Sequence, residues 1–349
     1  MSHWYAIRPS DTFLIRDGRN FVTGDGSKYE STLPNPSTVG GAMGAAIGDR
    51  FGFLRGPYLA KRLPGDEWLP YFPLPMNVLS SGKERQRVSP SSAPLEGVTT
   101  SVVIGGRLTL QPDDDESWEY NQTLISVDIL KEFLEDDAYV PDHREEEILE
   151  EVIPIEDRIG IARDDGQTID GFLYQAQHRR PAKEGVAFVV ETDQEPNSVK
   201  HRAVPFGGSG RHASIEDAGD IEFPEVLPEY PGGRLLLYVA TPGIWSAGST
   251  PPLPEDVSIV AANIGSPQPI AIGGSYQNLK KKLSTSFFWA VPAGSVYFLQ
   301  FSSEEAAQDW AIKHHGEALV AGDSKKEKDR ASTGFGVVFT GVWSTQDHD

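Results

Sequence analysis

Residues 11–46 read DTFLIRDGRNFVTGDGSKYESTLPNPSTVGGAMGAA, and this stretch constrains the fold more than any other part of the sequence. The apolar run at 13–15 predicts a short strand, and a polar, glycine-bearing loop follows it. The segment PNP ends the loop. Ser37 or Thr38 is then predicted to be the N-cap of a helix that reaches about Phe51. The stretch therefore predicts a strand, a loop and a helix in succession.

The predicted helix carries Gly40, Gly44 and Gly48 on one strip. Each glycine inside a helix costs about 1 kcal/mol relative to alanine, so several of them need a structural reason. The usual reason is a neighbour that packs too closely for side chains. We therefore expect the glycine strip to be a packing surface.

Further motifs lie far from this stretch. Residues 286–298 form two apolar segments around a Pro-Ala-Gly turn, which is typical of a core hairpin. The segment from Ile155 alternates around the turn DDG at 164–166 and predicts a second hairpin. A glycine-rich loop, PFGGSGR, follows at 205–211, and GFG at 334–336 leads into a last strand.

Three local patterns predict elements outside these motifs. Apolar residues at helical spacing predict a helix over about 122–137. Residues 302–305 have the pattern of a capping box and predict a helix that ends near residue 315. The segment KERQR at 83–87 lies among serines and prolines, and it predicts an exposed, mobile loop.

The quoted stretch and the distant motifs together resemble the RAMP superfamily of CRISPR–Cas proteins. The loop and helix entry resemble the R-D-x-R-x-F and P-x-P-S-T-x-x-G-A signature of the Cas-five-like subunit of the type III-B (Cmr) RNA-targeting complex. VPAGSVYF at 291–298 resembles the C-terminal signature of the same subunit. R-x-G-I at 158–161 and GGSGR at 207–211 resemble elements from the middle of family members, whereas residues 52–157 are largely unmatched.

The resemblance implies an α+β fold of two ferredoxin-like (RRM-like) domains with insertions. The expected N-terminal domain covers 1–155 with an acidic insertion at 113–157. A middle hairpin and glycine-rich insertion covers 156–230, and the C-terminal domain covers 231–349. The resemblance also implies a non-catalytic subunit that holds the 5′ handle of the CRISPR RNA. Its implied partners are the large polymerase-like subunit and a backbone RAMP subunit.

Composition is compatible with an RNA partner, because most of the net negative charge lies in one segment of the chain. The net charge is −20, but residues 113–157 hold 18 acidic residues against two basic ones, a net of −16, so the rest of the chain sums to −4. We expect this segment to be a solvated face or loop, with a specific basic partner as the alternative. The absence of cysteine fits a reducing cytoplasm. No apolar run is long enough to span a membrane, so no membrane partner is expected.

Single-stranded RNA is bound by cations that neutralise phosphates and by aromatic rings that stack on bases. Backbone amides of glycine loops can approach an anion, and Arg211 can bind phosphate with two hydrogen bonds. The candidate RNA-binding residues are Arg16, Arg19, Phe21, Lys28, Ser37, Thr38, Arg158, Arg179, Arg180, Gly208, Arg211, Gly334 and Gly336. A further basic patch is Lys280–Lys282. A plain turn is the alternative for each glycine loop, and a solvated position is the alternative for each cation. We expect the loop from Arg16 to Lys28 to face RNA.

The sequence offers no recognisable catalytic or metal site. His314 and His315 are adjacent on the predicted helix and point about 100° apart, so they cannot chelate one metal together. No Walker loop is present, and no cofactor is expected. Two alternatives to the RNA-binding subunit stay open. One is a stand-alone RAMP endoribonuclease that processes precursor CRISPR RNA, for which His178 is a histidine to test. The other is the equivalent subunit of a type III-D complex.

Overall fold

The fold is dominated by antiparallel strands. A computed structural model describes residues 2–16, 28–29, 31–91, 118–164, 167–273, 286–320 and 325–345. The helices are α1 (Pro36–Ile47), α2 (Val127–Glu135), α3 (Leu149–Val152), α4 (Glu304–His314) and α5 (Lys325–Ala331). The strands of the first part are β1 (His3–Pro9), β2 (Lys28–Tyr29), β3 (Leu54–Arg62), β4 (Trp68–Pro73), β5 (Val78–Ser81), β6 (Glu84–Arg87), β7 (Thr123–Ser126), β8 (Glu146–Ile148), β9 (Ile155–Asp164), β10 (Gln167–Arg179), β11 (Val186–Thr192), β12 (Ala203–Pro205) and β13 (His212–Gly219). The remaining strands are β14 (Arg234–Val239), β15 (Ser258–Asn263), β16 (Gln268–Ile272), β17 (Ser286–Ala290), β18 (Val296–Gln300) and β19 (Val338–Val342). No helix in the described ranges has the length and apolar character needed to cross a membrane.

The largest sheet has eight strands in the order β12-β13-β1-β11-β3-β4-β7-β8, and every neighbouring pair is antiparallel. Strands β11 and β13 come from the segment expected to be a middle insertion, yet they lie on either side of β1. The larger sheet therefore contains strands from residue 3 to residue 219. Strands from both sides of residue 155, the expected domain boundary, lie in this one sheet.

The C-terminal part forms a four-stranded antiparallel sheet in the order β15-β18-β14-β19. Smaller sheets are attached to the two large ones. The hairpin β9–β10 pairs with β2 in a three-stranded sheet, in which β2 is parallel to β10. The ribbons β5–β6 and β16–β17 are separate antiparallel pairs. This mixed architecture of helices and antiparallel sheets agrees with the expected α+β class.

The two large sheets stack face to face between two helices. Alternate residues of a strand point to opposite sides, so each sheet contributes to two cores. Ala6 and Val189 of the larger sheet pack with Leu236 and Phe298 of the smaller sheet in a shared central core. The outer face of the larger sheet packs on α1, and the outer face of the smaller sheet packs on α4. The order of layers is α1, eight strands, four strands, α4.

Helix α1 begins two or three residues earlier than expected. Asn35, not Ser37 or Thr38, is its N-cap, and the Asn35 side chain accepts a hydrogen bond from the Thr38 amide at 3.2 Å. Pro36 explains the shift, because proline suits the first helical position, where no amide hydrogen is needed. The helix ends at Ile47 rather than near Phe51, where Gly48 adopts the left-handed conformation (φ 73°).

The glycine strip of α1 faces neighbouring side chains at Gly40 and at Gly48. A Cβ added at Gly40 would lie 3.4 Å from the Phe51 ring and 3.7 Å from the Thr333 side chain, which are ordinary or tight packing distances. A Cβ at Gly41 would meet no described atom within 4 Å, and one at Gly44 would meet only the Asp49 carbonyl, at 3.9 Å. A Cβ at Gly48 would lie 3.6 Å from the Lys200 side chain, so the packing prediction holds for Gly40 and Gly48 and is weakest at Gly44.

One expectation about loops is wrong, and another is incomplete. The segment at 83–87 is not an exposed loop, because it contributes β6, in which Arg87 is 4% exposed and Arg85 forms a buried ion pair with Glu146. The acidic segment is not simply a solvated face, because from residue 118 onward it supplies β7, α2, β8 and α3. Its described part is built into the larger sheet and its cores.

The helix expected at 122–137 is a strand followed by a helix. Residues 123–126 extend the larger sheet as β7, and Ser126 then caps α2 by accepting a hydrogen bond from the Ile129 amide. Helix α4 likewise begins one residue later than predicted, because Ser303 is its N-cap and accepts from the Ala306 amide at 3.1 Å.

Candidate nucleic-acid interface

Three segments that are distant in the sequence meet beside β1. The segment at 12–15 runs antiparallel to the end of β10, where Phe13 and Arg179 exchange two backbone hydrogen bonds of 2.9 Å. On the other side, the Gly208 amide donates to the Leu14 carbonyl at 2.7 Å. Phe13 is fully buried and contacts the rings of Phe188 and Phe206 edge to face. The start of the first loop is thus fixed between the hairpin and the glycine-rich loop.

This meeting point carries a cluster of charged side chains that we call the arginine surface, comprising Asp11, Glu156, Arg158, Arg180 and Arg211. Arg180 donates to both carboxylates, from Nε to Glu156 Oε2 at 2.8 Å and from Nη1 to Asp11. Arg158 Nε donates to Glu156 Oε1 at 2.8 Å. Arg211 Nη1 donates to Asp11 Oδ2 at 3.0 Å. Three guanidinium groups therefore surround two carboxylates, which leaves one net positive charge.

The carboxylates of the arginine surface are ionised at neutral pH. The Thr12 amide, with Arg180 and Arg211 behind it, lowers the pKa of Asp11. Hydrogen bonds from Arg180 and Arg158 lower the pKa of Glu156, and Glu156 in turn raises the pKa of Arg180. Because partly exposed ion pairs are weak, phosphate oxygens can compete for these guanidinium groups. Arg211 Nε is buried and has no hydrogen-bond partner within the described ranges.

The glycine-rich loop has the geometry of an anion-accessible turn. Gly207 (φ 75°), Ser209 (φ 59°) and Gly210 (φ 66°) lie in the left-handed region, and residues 207–210 are exposed. Gly207 cannot carry a side chain without distortion, because a Cβ would lie 2.6 Å from the Leu14 carbonyl oxygen. The Gly208 amide is already used by Leu14, so any amide contact to an anion would fall to its neighbours rather than to Gly208.

His178 lies beneath the arginine surface. It is 4% exposed, and its Nδ1 lies 3.1 Å from Thr12 Oγ1. Burial, together with the positive charges of Arg158 and Arg211, lowers the pKa of His178, so the ring is neutral at neutral pH. A buried neutral imidazole that is hydrogen-bonded to a threonine supports the strand junction structurally.

The other cationic candidates have different positions. Arg16 is exposed and pairs through its backbone with Ser31 at the start of the first loop. Arg179 points its guanidinium inward, where it donates to the carbonyls of Ser31 (2.8 Å) and Ile153 (3.2 Å), so its role is to hold two backbone segments together. Lys28 belongs to β2. Arg19, Phe21 and Lys280–Lys282 lie outside the described residues.

Ser37 and Thr38 lie at the N-terminus of α1, and both hydroxyl groups donate to Asn35 Oδ1, at 2.7 and 3.4 Å. They are half-buried. Their hydroxyl groups complete the cap of α1.

Gly334 and Gly336 are buried, so they are not part of an RNA-accessible surface in this chain. A Cβ at Gly334 would lie 2.7 Å from the carbonyl oxygen of Gly56, and one at Gly336 would lie 3.1 Å from Trp245 Nε1. Both have positive φ angles, of 97° and 77°. Close packing, rather than RNA contact, therefore explains these two glycines. Gly334 lies against β3 of the larger sheet, whereas Gly336 lies against Gly243 and Trp245 of the C-terminal part.

Sequence reasoning missed the acidic half of the arginine surface. Asp11 opens the stretch quoted first, and Glu156 belongs to the acidic segment, yet neither pattern indicates an arginine partner. Asp11 pairs with arginines 169 and 200 positions away, and no local signal records such a contact. Within the described part of the chain no group of three histidine, aspartate or glutamate side chains is arranged to hold a metal ion.

Comparison with known proteins gives a family and a fold. The sequence profile of a family described as CRISPR-associated protein (Cas_Cmr3) matches residues 5–343, which confirms the resemblance drawn from the motifs. No curated protein matches the sequence. A chain in the cryo-EM structure of the Type III-B Cmr-beta bound to cognate target RNA and AMPPnP (state 1) superimposes with a TM-score of 0.53 at 16% identity, covering 96% of this chain and 95% of that chain. A chain of the Type III-B Cmr-beta bound to cognate target RNA gives 0.51 at 16% identity, with 95% of each chain covered. At this identity the likeness shows a shared fold.

Proposed function

The chain belongs to the Cas_Cmr3 family of CRISPR-associated proteins, and from this membership we propose that it is a non-catalytic, CRISPR RNA-binding subunit of a type III-B (Cmr) effector complex. The family match over residues 5–343 supports this proposal. The fold that it shares with chains of Cmr-beta assemblies bound to target RNA supports it as well. The role that we assign within the complex is to hold the 5′ handle of the CRISPR RNA.

The observation that carries the RNA-binding role is the convergence of Arg158, Arg180 and Arg211 at the start of the first loop. Asp11 and Glu156 hold the three side chains in place before RNA arrives, which reduces the entropy lost on binding. Phosphates of the handle then replace the carboxylates as acceptors for the guanidinium N–H groups. Each arginine–phosphate contact is a charge-assisted hydrogen bond. This contact is independent of sequence.

Handle sequence would be read next to this phosphate site. Arg16 leads from the arginine surface into the first loop, whose sequence continues with Arg19, Phe21 and Lys28. Unstacked bases of a single strand are recognised by stacking and by hydrogen bonds to their edges. We assign base contacts to this loop and phosphate contacts to the arginine surface.

We further propose that each large sheet is built on a ferredoxin-like unit. In β13-β1-β11-β3 and in β19-β14-β18-β15, the strands of each unit follow the order 4-1-3-2 when they are numbered along the chain. A βαββαβ unit produces this antiparallel order, because each helical crossover skips one strand. Helix α1 occupies the first crossover of one unit, and α4 occupies the second crossover of the other. The units would then extend over 3–219 and 234–342, with β4, β7, β8 and β12 as additions.

The proposed partners besides RNA are the large polymerase-like subunit and a backbone RAMP subunit. The surface of α1 at Gly41 and Gly44 is compatible with close approach of another backbone. Purification of the co-expressed complex, followed by cross-linking and peptide mapping, would identify which subunit touches α1.

The experiment that tests the RNA-binding role removes the three arginines together. Binding of an oligonucleotide with the repeat-derived handle sequence is measured for the full chain across a range of salt concentrations. Each lost phosphate contact on a single strand reduces the slope of log K against log salt by about 0.7, so Arg158→Ala, Arg180→Ala and Arg211→Ala together should reduce it by about 2. The control removes the same charge elsewhere, through Arg8→Ala, Arg62→Ala and Arg144→Ala. Equal slopes for both triple variants would contradict the proposal.

The role of the first loop is tested separately in the assembled complex. Replacing Arg16 and Arg19 with alanine should weaken crosslinking of the handle to this subunit while the complex still assembles. Undiminished crosslinking would remove the first loop from the proposed interface.

The alternative function, cleavage of precursor CRISPR RNA, gains no support from His178, which is buried, neutral and bonded to Thr12. A general acid or base has to reach the reacting oxygen directly or through one water. Incubation of the purified chain with repeat RNA without metal tests this alternative. Cleavage that disappears in His178→Ala would overturn the non-catalytic assignment. The equivalent role in a type III-D complex differs in assembly only, and the subunits that co-purify would distinguish it.

A further inference from the structure

The ribbon β16–β17 displays two aromatic side chains to solvent. Phe287 is 58% exposed and Trp289 is 71% exposed, whereas Phe288 between them turns inward and packs with Ile270. Across the ribbon Trp289 pairs with Pro269 and Phe287 pairs with Ala271, so these four residues share the outer face. Single exposed apolar residues are ordinary, but two large rings side by side on one strand face are not.

The spacing of Phe287 and Trp289 along the strand suits one nucleobase. Residues i and i+2 of an antiparallel strand lie about 6.8 Å apart, and side chains stand roughly perpendicular to the sheet. Stacked bases are about 3.4 Å apart, so a single flat base inserted between the rings would contact both. Aromatic rings on strands are a common means of stacking bases of single-stranded RNA.

The ribbon is also attached to one of the few basic segments of an acidic chain. The guanidinium of Arg330 in α5 lies 5.1 Å from the centre of the Phe288 ring, on the inner side of the ribbon. Residues 325–330 read KKEKDR, with four basic and two acidic residues, while the whole chain carries a net charge of −20. Lys325 and Lys326 are exposed. The ribbon is thus anchored on a helix with a net positive charge, which favours a polyanion over a basic partner in this part of the chain.

The small area of this face favours a base over a protein surface. Five residues of two strands cover roughly 10 by 17 Å, or about 170 Å². A stable protein interface needs about 800 Å² from each partner, whereas one or two nucleobases fit the ribbon.

From these observations we infer that the outer face of β16–β17 is a second RNA site, in which Phe287 and Trp289 stack one unpaired base of a single-stranded RNA. The inference rests on the proposed RNA-binding role, but it does not depend on the arginine surface or on the handle sequence. The site is not selective for base identity, because every base has a flat face that can stack.

The test measures anisotropy of a fluorescein-labelled twelve-nucleotide oligouridylate with the full chain at low salt. Trp289→Ala should weaken binding about tenfold, and Trp289→Phe should restore most of it because the ring is retained. The matched control is Ile312→Ala, which removes another exposed apolar side chain (62% exposed) from α4 and should have no effect. Circular dichroism confirms that each variant is folded.

The outcomes separate this site from the proposed function. Loss of binding in Trp289→Ala with recovery in Trp289→Phe supports the stacking site. Unchanged binding in Trp289→Ala overturns it, even if the arginine triple variant is impaired. Loss of a protein subunit from the assembled complex in Trp289→Ala, with unchanged oligouridylate binding, would assign the face to a protein partner and overturn it as well.

Discussion

Arg87 provides a demanding test of how the two halves of the chain are joined. Its guanidinium is buried and donates from Nη1 to the carbonyls of Phe133 (2.9 Å) and Asp136 (2.6 Å), at the end of α2, and from Nη2 to Val342 in β19 (3.3 Å). It also lies 3.8 Å from the centre of the Phe133 ring. The last carbonyls of a helix lack hydrogen-bond donors within the helix, and Arg87 provides donors for two of them.

The magnitude follows from two opposing effects. Leaving one buried carbonyl and two partly buried carbonyls without partners costs about 1–3 kcal/mol each. Burial lowers the pKa of Arg87 to about 10, which shows that keeping the charge inside is itself unfavourable. Relative to an ordinary value near 12.5, that shift corresponds to about 3 kcal/mol, which an uncharged side chain recovers. Arg87→Met should therefore lower the free energy of unfolding by about 3 kcal/mol.

The assay is thermal unfolding followed by tryptophan fluorescence. With an unfolding entropy of about 2.1 cal/mol/K per residue, a loss of 3 kcal/mol lowers Tm by about 4 °C in a chain of this size. Arg87→Lys should be at least as destabilising as Arg87→Met, because lysine keeps the buried charge and loses the planar fork. The control, Arg144→Met, changes an arginine whose ion pair with Asp142 is local and largely exposed, and Tm should stay within about 1 °C. An unchanged Tm for Arg87→Met, or a milder effect of Arg87→Lys, would refute the reasoning.

Three further predictions follow. His315 donates from Nε2 to the Pro224 carbonyl and accepts from the Thr340 amide at Nδ1, and burial lowers the pKa of His315. Below about pH 6.5 the unfolded chain therefore binds more protons than the folded chain, so the free energy of unfolding falls as pH drops through that value. His315→Gln should reduce the difference in the free energy of unfolding between about pH 5 and pH 7.5, measured by urea titration. Gly334→Ala should cost about 2 kcal/mol or more in the same titrations, because its Cβ would press on two carbonyl oxygens of β3, whereas Gly65→Ala, also at positive φ but with open space, should cost only about 1 kcal/mol; equal costs would contradict the packing role. The isolated chain should bind RNA weakly because its net charge is unfavourable, and tight, salt-sensitive binding by the monomer would contradict this.

Local patterns predicted individual elements better than their arrangement. The hairpin β9–β10 and the helix α4 were readable, because alternation around a turn marks the hairpin and a capping box marks the start of the helix. The N-cap of α1 was missed because Asn35, Ser37 and Thr38 all suit a cap, although Pro36 was a usable signal. The place of β11 and β13 beside β1 could not be read, since strand order depends on contacts across almost the whole chain.

The cations of the candidate interface could be predicted from the sequence, but the carboxylates that pair with them could not. Arg158, Arg180 and Arg211 were identified as candidates because they stand in hairpin and glycine-loop motifs. Arg179, their neighbour in sequence, turned out to serve backbone carbonyls, because adjacent residues at a strand end face opposite sides. Arg87 shows the converse error, since a polar segment looks exposed until the aromatic ring and carbonyls that bury it are known.

The central core between the two stacked sheets has a consequence for evolution and for engineering. Its apolar residues come from both halves of the chain, so separating the halves at the connection between Gly219 and Arg234 would expose two wide apolar faces to water. Neither half can then be transplanted into a relative on its own, because its new companion would have to match the ridges of Phe72, Phe298 and Phe339. Exchange of loops and ribbons at the edges meets no such restriction, and sequence divergence within the family should concentrate there while the two sheets change together.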